Sequence, residues 1–219
     1  MTTSAQTWKI SARFYNTKLA SGDIEDKIDV FEDWMNGWTL RHAHPLCDSK
    51  YVFRDDAGFA VLTIATSYFE PIHSYLTGRP SRGTAKIFFR SGFLSVFPDL
   101  PATLTTYGYP SPQALAEQIA DEIYDQLRCG LYHEGGTKHK LLIRHDTAPL
   151  SFMLEKTTGE VGSIVVDPPR FLAEIQHHLD NYVGKLRDPS QVQLRRNFET
   201  FFDHRMSATA TVLPPPTHL

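Results

Sequence analysis

Residues 111–136 read SPQALAEQIADEIYDQLRCGLYHEGG, and this stretch carries the strongest helical pattern in the chain. Leucine or isoleucine recurs at every fourth position, which aligns these side chains on one face of an α-helix. Ser111 is a good N-cap and Pro112 suits the first helical position, whereas the pair of glycines is typical of a helix end. The pattern predicts a helix over 112–134 with an apolar ridge formed by Leu115, Ile119, Ile123, Leu127 and Leu131.

Three further helices are predicted before this segment. Apolar residues with three-and-four spacing indicate helices at 22–38, 57–76 and 84–96. The helix over 57–76 is apolar almost all round, which is typical of the centre of a domain. Pro71 lies inside it and is expected to kink it or to restart it.

Three short β-rich segments follow, at 140–144, 151–154 and 162–166, and turn residues separate them. Asp167 and two prolines then predict a capped helix, and a last helix is expected from 190 to about 204. The predicted fold class is therefore mainly α, a helical bundle with a small β-meander late in the chain.

One domain of this kind accounts for most of the sequence. We expect an N-terminal segment over 1–21, a single helical domain over 22–205, and a β insertion at about 139–166. The tail over 206–219 ends in a proline run and is expected to be disordered. There are no internal repeats and no interdomain linker.

Composition restricts the class of protein. Apolar residues make up 41% of the chain and charged residues 21%, which is ordinary for a soluble globular protein. The net charge of -3 argues against binding nucleic acid by bulk attraction, so any RNA contact needs a local basic pocket. Two cysteines form neither a disulfide framework nor a zinc motif. Without a signal peptide or an apolar run of membrane length, we expect a cytoplasmic protein that does not contact membranes.

Arg128 and His133 are the candidate catalytic residues. Arginine binds phosphate as a planar fork, and histidine transfers protons near neutral pH. In RNA the 2′-hydroxyl can attack the neighbouring phosphate once a base removes its proton, and an arginine can stabilise the charge that develops. This chemistry needs no metal and no other cofactor. It selects RNA because DNA lacks the attacking hydroxyl.

The spacing of this pair also bears on the assembly. Five residues along an α-helix rotate by about 500°, which leaves the two side chains about 140° apart around the axis. Either the chain turns after the helix and brings His133 back, or a second copy supplies the partner. The second alternative predicts a homodimer that forms through the 112–134 helix.

The run from Leu127 to Gly135 resembles the Arg-x-x-x-x-His signature of HEPN (higher eukaryotes and prokaryotes nucleotide-binding) domains. Its Arg-Cys-Gly-Leu-x-His form is similar to a subset common in uncharacterised bacterial members. The resemblance implies a compact helical bundle that dimerises along the motif helix, and a metal-independent endoribonuclease of toxin–antitoxin or antiviral systems. It also implies an antitoxin or regulatory partner, and it maps the catalytic pair onto Arg128 and His133.

Three neighbours are candidate supporting residues around this pair: Cys129, Tyr132 and Glu134. Active members of the family usually carry Asn, Asp or His directly after the arginine, whereas this chain has Cys129. A thiol is a weaker hydrogen-bonding group than those side chains. A non-catalytic module that binds a nucleotide, RNA or a protein is therefore the alternative function. A purely structural dimer, or cations that only complement the helix dipole, are the simpler alternatives.

Other clusters carry weaker signals. His42, His44 and Cys47 offer nitrogen and sulfur ligands, but a polar loop is the simpler interpretation and we predict no metal site. His177 and His178 are adjacent on a predicted helix, where one of them should face solvent. A basic patch is formed near the C-terminus by Lys185, Arg187, Arg195 and Arg196; a solvated helix face and an RNA groove remain the two interpretations.

Overall fold

The computed structural model describes residues 7–48, 54–127, 129, 140–145, 147–155 and 159–212. In these ranges the chain is mainly helical and has a small three-stranded sheet late in the sequence, which confirms the predicted class. None of the helices described has the length and apolar content of a membrane-spanning segment. The α-helices are α1 (Ile24–Trp34), α2 (Arg54–Thr66), α3 (Phe69–Thr77), α4 (Ala85–Val96), α5 (Leu100–Thr106), α6 (Pro112–Ile123), α7 (Pro168–Arg187) and α8 (Val192–Val212). The strands are β1 (Leu141–Ile143), β2 (Leu150–Leu154) and β3 (Val161–Val166).

The sheet is not the predicted meander, because its strand order is β1-β3-β2. β2 pairs antiparallel with β3, whereas β1 pairs parallel with β3 on its other side. β3 buries Val161, Ile164 and Val166, more apolar side chains than either neighbour buries. The central position therefore goes to the strand that gains most from burial, and both of its backbone edges are hydrogen-bonded.

The predicted helix over 57–76 is divided into α2 and α3. At the end of α2 the hydroxyls of Thr66 and Ser67 donate hydrogen bonds to backbone carbonyls of the preceding turn, which competes with regular helix continuation. Pro71 lies in the first turn of α3, where its missing N–H is tolerated. The expectation that this proline restarts the helix is confirmed. Helix α5 was not predicted, because Leu104 is its one buried residue and the periodic signal is weak.

The core is rich in aromatic rings that join helices distant in sequence. Phe69 of α3 makes edge-to-face contacts with Phe89 and Phe93 of α4 and with Phe171 of α7, at centroid distances of 5.1, 5.4 and 5.8 Å. Edge-to-face pairs add stabilisation beyond the buried area alone. These rings make α3, one of the most buried helices, the hub against which α4 and α7 pack.

The N-terminal segment is attached to α1 through a buried carboxylate. Asp33 accepts hydrogen bonds from the Ser11 hydroxyl and from the backbone N–H and Nε of Arg13, each at 2.6 Å. Burial by itself would raise the pKa of Asp33, but these hydrogen bonds outweigh it and hold the pKa below its ordinary value. Residues 8–16 are thereby held against the helical domain.

The C-terminal helices differ in part from expectation. Asp167 caps α7 as predicted, because its side chain accepts a hydrogen bond from the backbone N–H of Arg170. Helix α8 does not end near 204 but continues to Val212, so the part of the predicted disordered tail up to residue 212 is helical. Met206 packs against the core and anchors this extension. Residues 213–219 lie outside the described residues.

Candidate functional site

Helix α6 is held in the molecule by the apolar ridge that its sequence predicts. Leu115, Ile119, Ile123 and Leu127 are all buried. Pro112 occupies the first turn as predicted, but the Ser111 side chain makes no capping hydrogen bond although it stands at the N-cap position. Burial of the ridge therefore positions this helix, and the cap contributes little.

The acidic face of α6 is bound within the same chain. Arg90 of α4 forms a fork-like pair with Asp121, with Nε–Oδ1 at 2.8 Å and Nη2–Oδ2 at 2.6 Å, and Lys86 Nζ lies 2.8 Å from Asp125. The hydrogen bonds that Arg90 donates to Asp121 raise the pKa of Arg90 above its ordinary value. These pairs orient α6 against α4 and neutralise carboxylates on this face of the helix.

The C-terminal end of α6 changes its winding. Residues 124–127, and also Cys129, have the wider π-helical geometry, in which hydrogen bonds join residues i and i+5. Cys129 is a free, half-buried cysteine. Arg128, Tyr132, His133 and Glu134 lie outside the described residues, as do Leu131 and the two glycines predicted to end the helix. The convergence of arginine and histidine and the dimer through 112–134 thus stay predictions.

The candidate metal-binding loop shows other contacts. His44 Nε2 lies 3.3 Å from Gln176 Oε1, and the Cys47 thiol donates to the Ala43 carbonyl at 3.4 Å. In the part of the chain that the structure describes, no three His, Cys, Asp or Glu side chains are grouped as a metal site would require. The segment is not an irregular loop, because His42 and Cys47 lie in two short 3-10 helices, Leu40–His42 and Pro45–Cys47.

Two of the four residues in the predicted basic patch, Arg187 and Arg195, are paired with acidic residues of α1. Arg187 contacts Asp29 at 2.9 Å and Glu32 at 2.7 Å, and Arg195 contacts Glu25 at 2.9 Å. Arg195 also donates to the Leu186 carbonyl. These contacts favour the interpretation as a salt-bridged helix face over the interpretation as an RNA groove.

A cavity of about 670 Å³ lies beside α7. Its polar wall follows one face of that helix, and the end of α4, Pro98 and Asp99, Leu76 and the start of α8 complete it. The α7 residues that line it are Glu174, His177, His178, Asn181, Tyr182 and Lys185. Their spacing of three and four positions places them on one side of a helix.

The two adjacent histidines differ within this cavity. His177 is exposed, as expected for one member of the pair, and its Nε2 lies 2.9 Å from Asn181 Nδ2. His178 is half-buried, and its Nδ1 lies 2.8 Å from the hydroxyl oxygen of the buried Tyr68. Burial, with smaller contributions from the charges of Lys185 and His177, lowers the pKa of His178 to about 4.

Tyr68 fixes the tautomer of His178. Burial raises the pKa of Tyr68 well above its ordinary value, so the phenol keeps its proton. A buried O–H group needs an acceptor, and His178 Nδ1 is at hydrogen-bond distance. Tyr68 therefore donates to Nδ1, and the ring hydrogen resides on Nε2. No sequence signal could have found this pair, because the two residues are 110 positions apart.

Comparisons with known proteins leave the function to be inferred from the chain itself. No protein-family model, no curated protein and no solved structure matches this sequence.

Proposed function

We propose that this protein is a metal-independent RNA endonuclease that acts as a homodimer of the HEPN type. In this proposal Arg128 binds the scissile phosphate and His133 transfers protons. The main support for this proposal is that Arg128 and His133 are five positions apart and that Arg128 directly follows Leu127, a residue buried in the core. The buried Leu127 anchors the part of the helix that precedes the motif.

The winding of α6 gives additional support. A spacing of five residues leaves side chains on different faces of an α-helix, whereas π-helical hydrogen bonds join residues five apart. Single π-turns are also frequent at functional sites. The described π-helical residues 124–127 and 129 border Arg128 on both sides. In this proposal the same winding continues to His133, which would leave two side chains five residues apart closer around the helix axis than an α-helix does.

The test is cleavage of RNA in the presence of a chelator. We expect products that end in a 2′,3′-cyclic phosphate. Arg128→Ala and His133→Ala should each lower the cleavage rate at least about a hundredfold, because one proton transfer or one charge-stabilising donor contributes on the order of that factor. Matched controls are Arg82→Ala and His204→Ala, two exposed residues of the same types elsewhere in the chain. Equal cleavage by the motif variants and the controls would reject the assignment.

Cys129 supports the second candidate function, a module that binds a nucleotide, RNA or a protein partner such as an antitoxin without cleaving. A weakly hydrogen-bonding thiol stands where active relatives of the resembled family carry an amide, a carboxylate or an imidazole. The substitution Cys129→Asn separates the two functions. Cleavage that appears only in this variant supports the binding module, whereas cleavage by the unaltered protein supports the endonuclease.

A further inference from the structure

The cavity beside α7 has the dimensions and lining of a small-molecule site. Its volume of about 670 Å³ falls within the range of roughly 300–1,000 Å³ typical of ligand pockets. Part of its wall is apolar, formed by Leu76, Val96, Pro98 and Leu194. The rest is polar, and most of that part is supplied by α7. Such a division suits a ligand with an apolar body and one polar group.

Charge is distributed unequally along this cavity. Glu174 and Lys185 are eleven positions apart on α7, which corresponds to about 16 Å along the helix axis. Asp99 lies near the acidic end, since it shares with Glu174 the wall of a neighbouring cleft. Among the described residues no carboxylate lies within salt-bridge distance of Lys185. The basic end therefore has an unpaired positive charge, while the acidic end repels anions.

Two other features favour an anion at the basic end. Leu194 in the first turn of α8 and Gln191 just before that helix line the cavity, and the N-terminus of a helix carries a partial positive charge. His178 also lines the cavity. Because its Nδ1 accepts the hydrogen bond from Tyr68, the other ring nitrogen, Nε2, carries the hydrogen. A neutral histidine held in one tautomer is a fixed hydrogen-bond donor.

We propose that this cavity binds a small organic anion, a carboxylate or phosphate monoester attached to an apolar body. Lys185 Nζ and His178 Nε2–H bind the anionic oxygens, and the apolar body lies against Leu76, Val96 and Leu194. This site uses no residue of the Arg128–His133 segment, so it does not depend on the proposed nuclease activity.

The experiment is a titration of the full chain, followed by amide NMR shifts, with phenyl phosphate, benzoate and the neutral benzyl alcohol. We expect phenyl phosphate or benzoate to bind more tightly than benzyl alcohol and to shift resonances of residues 174–194. The anion that binds with the higher affinity indicates whether the natural ligand carries a phosphate or a carboxylate. Lys185→Gln is expected to weaken anion binding about tenfold by removing one charge-assisted hydrogen bond, whereas the exposed control Lys9→Gln leaves it unchanged.

Three results would overturn the proposal. One is equal affinity for the anions and for benzyl alcohol. Another is a Lys185→Gln protein that binds the anions as well as the Lys9→Gln protein does. The last is a set of shifted resonances that lies outside the cavity wall, for example around Arg196. Because Lys185 is exposed, its substitution is not expected to disturb folding, and each result can be interpreted directly.

Discussion

At the scale of single residues, the protein keeps a histidine neutral at its cavity wall by burying it beside a tyrosine. His178 loses hydration on folding and has cationic neighbours, so its charged form is disfavoured. The phenol of Tyr68 donates to one ring nitrogen and thereby determines which nitrogen carries the hydrogen. A perturbed titratable group of this kind on a cavity wall is a physical indication of a functional site.

This arrangement predicts how stability depends on pH. The pKa of His178 is about 4 in the folded protein and about 6.5 when unfolded. Between these two values the unfolded chain takes up the proton and the folded chain does not, so stability falls as pH decreases. We expect His178 to account for a loss of about 2 kcal/mol between pH 7.5 and pH 5.

Urea unfolding at the two pH values measures this contribution. His178→Gln removes the titrating group but keeps a side chain that can accept from Tyr68, so its stability should decline less on acidification than that of the unaltered protein. The exposed neighbour provides the control, and His177→Gln should follow the unaltered protein. If all three proteins lose the same stability between pH 7.5 and pH 5, the predicted role of His178 is wrong.

At the scale of elements, the close contact between α3 and α4 depends on Gly92, which has no side chain. A Cβ atom added at Gly92 of α4 would lie 1.8 Å from the carbonyl oxygen and 2.7 Å from the carbonyl carbon of Phe69. Both atoms belong to the backbone of α3, so a side chain at this position forces the two helices apart. The aromatic contacts of Phe69 with Phe89 and Phe93 depend on this close approach.

Gly92→Ala is accordingly expected to destabilise the fold by about 3 kcal/mol or more, because overpacking here cannot be relieved by a rotamer change. Gly184→Ala is the matched control in α7, where nothing lies within 4 Å of an added Cβ. Replacing glycine by alanine in an open helical position should stabilise it by roughly 0.5–1 kcal/mol. Chemical unfolding of the two variants tests this difference, and similar stabilities would contradict the close approach of α3 and α4.

Sequence patterns predicted best those elements in which apolar residues recur with a clear period. The ridge from Leu115 to Leu127 and the cap at Asp167 could be read directly, because each depends on residues close in sequence. Helix α5 could not, since Leu104 is its one buried residue. Strand order was inaccessible for another reason, namely that pairing of β1 with β3 depends on competition between strands.

At the scale of the whole molecule, the proposed nuclease depends on two chains. In this proposal a two-fold contact brings the arginine and the histidine of both copies into a single cleft. Asp121 of α6 and Asp125 in the π-helical turn that follows it are already paired with α4 of the same chain. A contact between copies must therefore use other surfaces of the 112–134 segment.

Mixing two inactive variants tests this shared cleft. An Arg128→Ala chain retains His133, and a His133→Ala chain retains Arg128. If both chains contribute to one cleft, their heterodimer contains one residue of each type and should recover part of the cleavage activity. Each variant alone should stay inactive, and sedimentation should give twice the 24.9 kDa of one chain. A monomeric protein, or a mixture as inactive as its components, would contradict the shared site.

The sequence by itself determined the mainly helical class, the late β segment, the helix cap at Asp167 and the apolar ridge of α6. Each of these depends on local spacing and on the separation of apolar from polar residues, which the order of amino acids records directly. Only the tertiary structure decided the strand order, the pairing of Arg187 and Arg195 with α1, and the Tyr68–His178 contact. These depend on which distant groups share limited buried space, and burial is a property of the packed molecule.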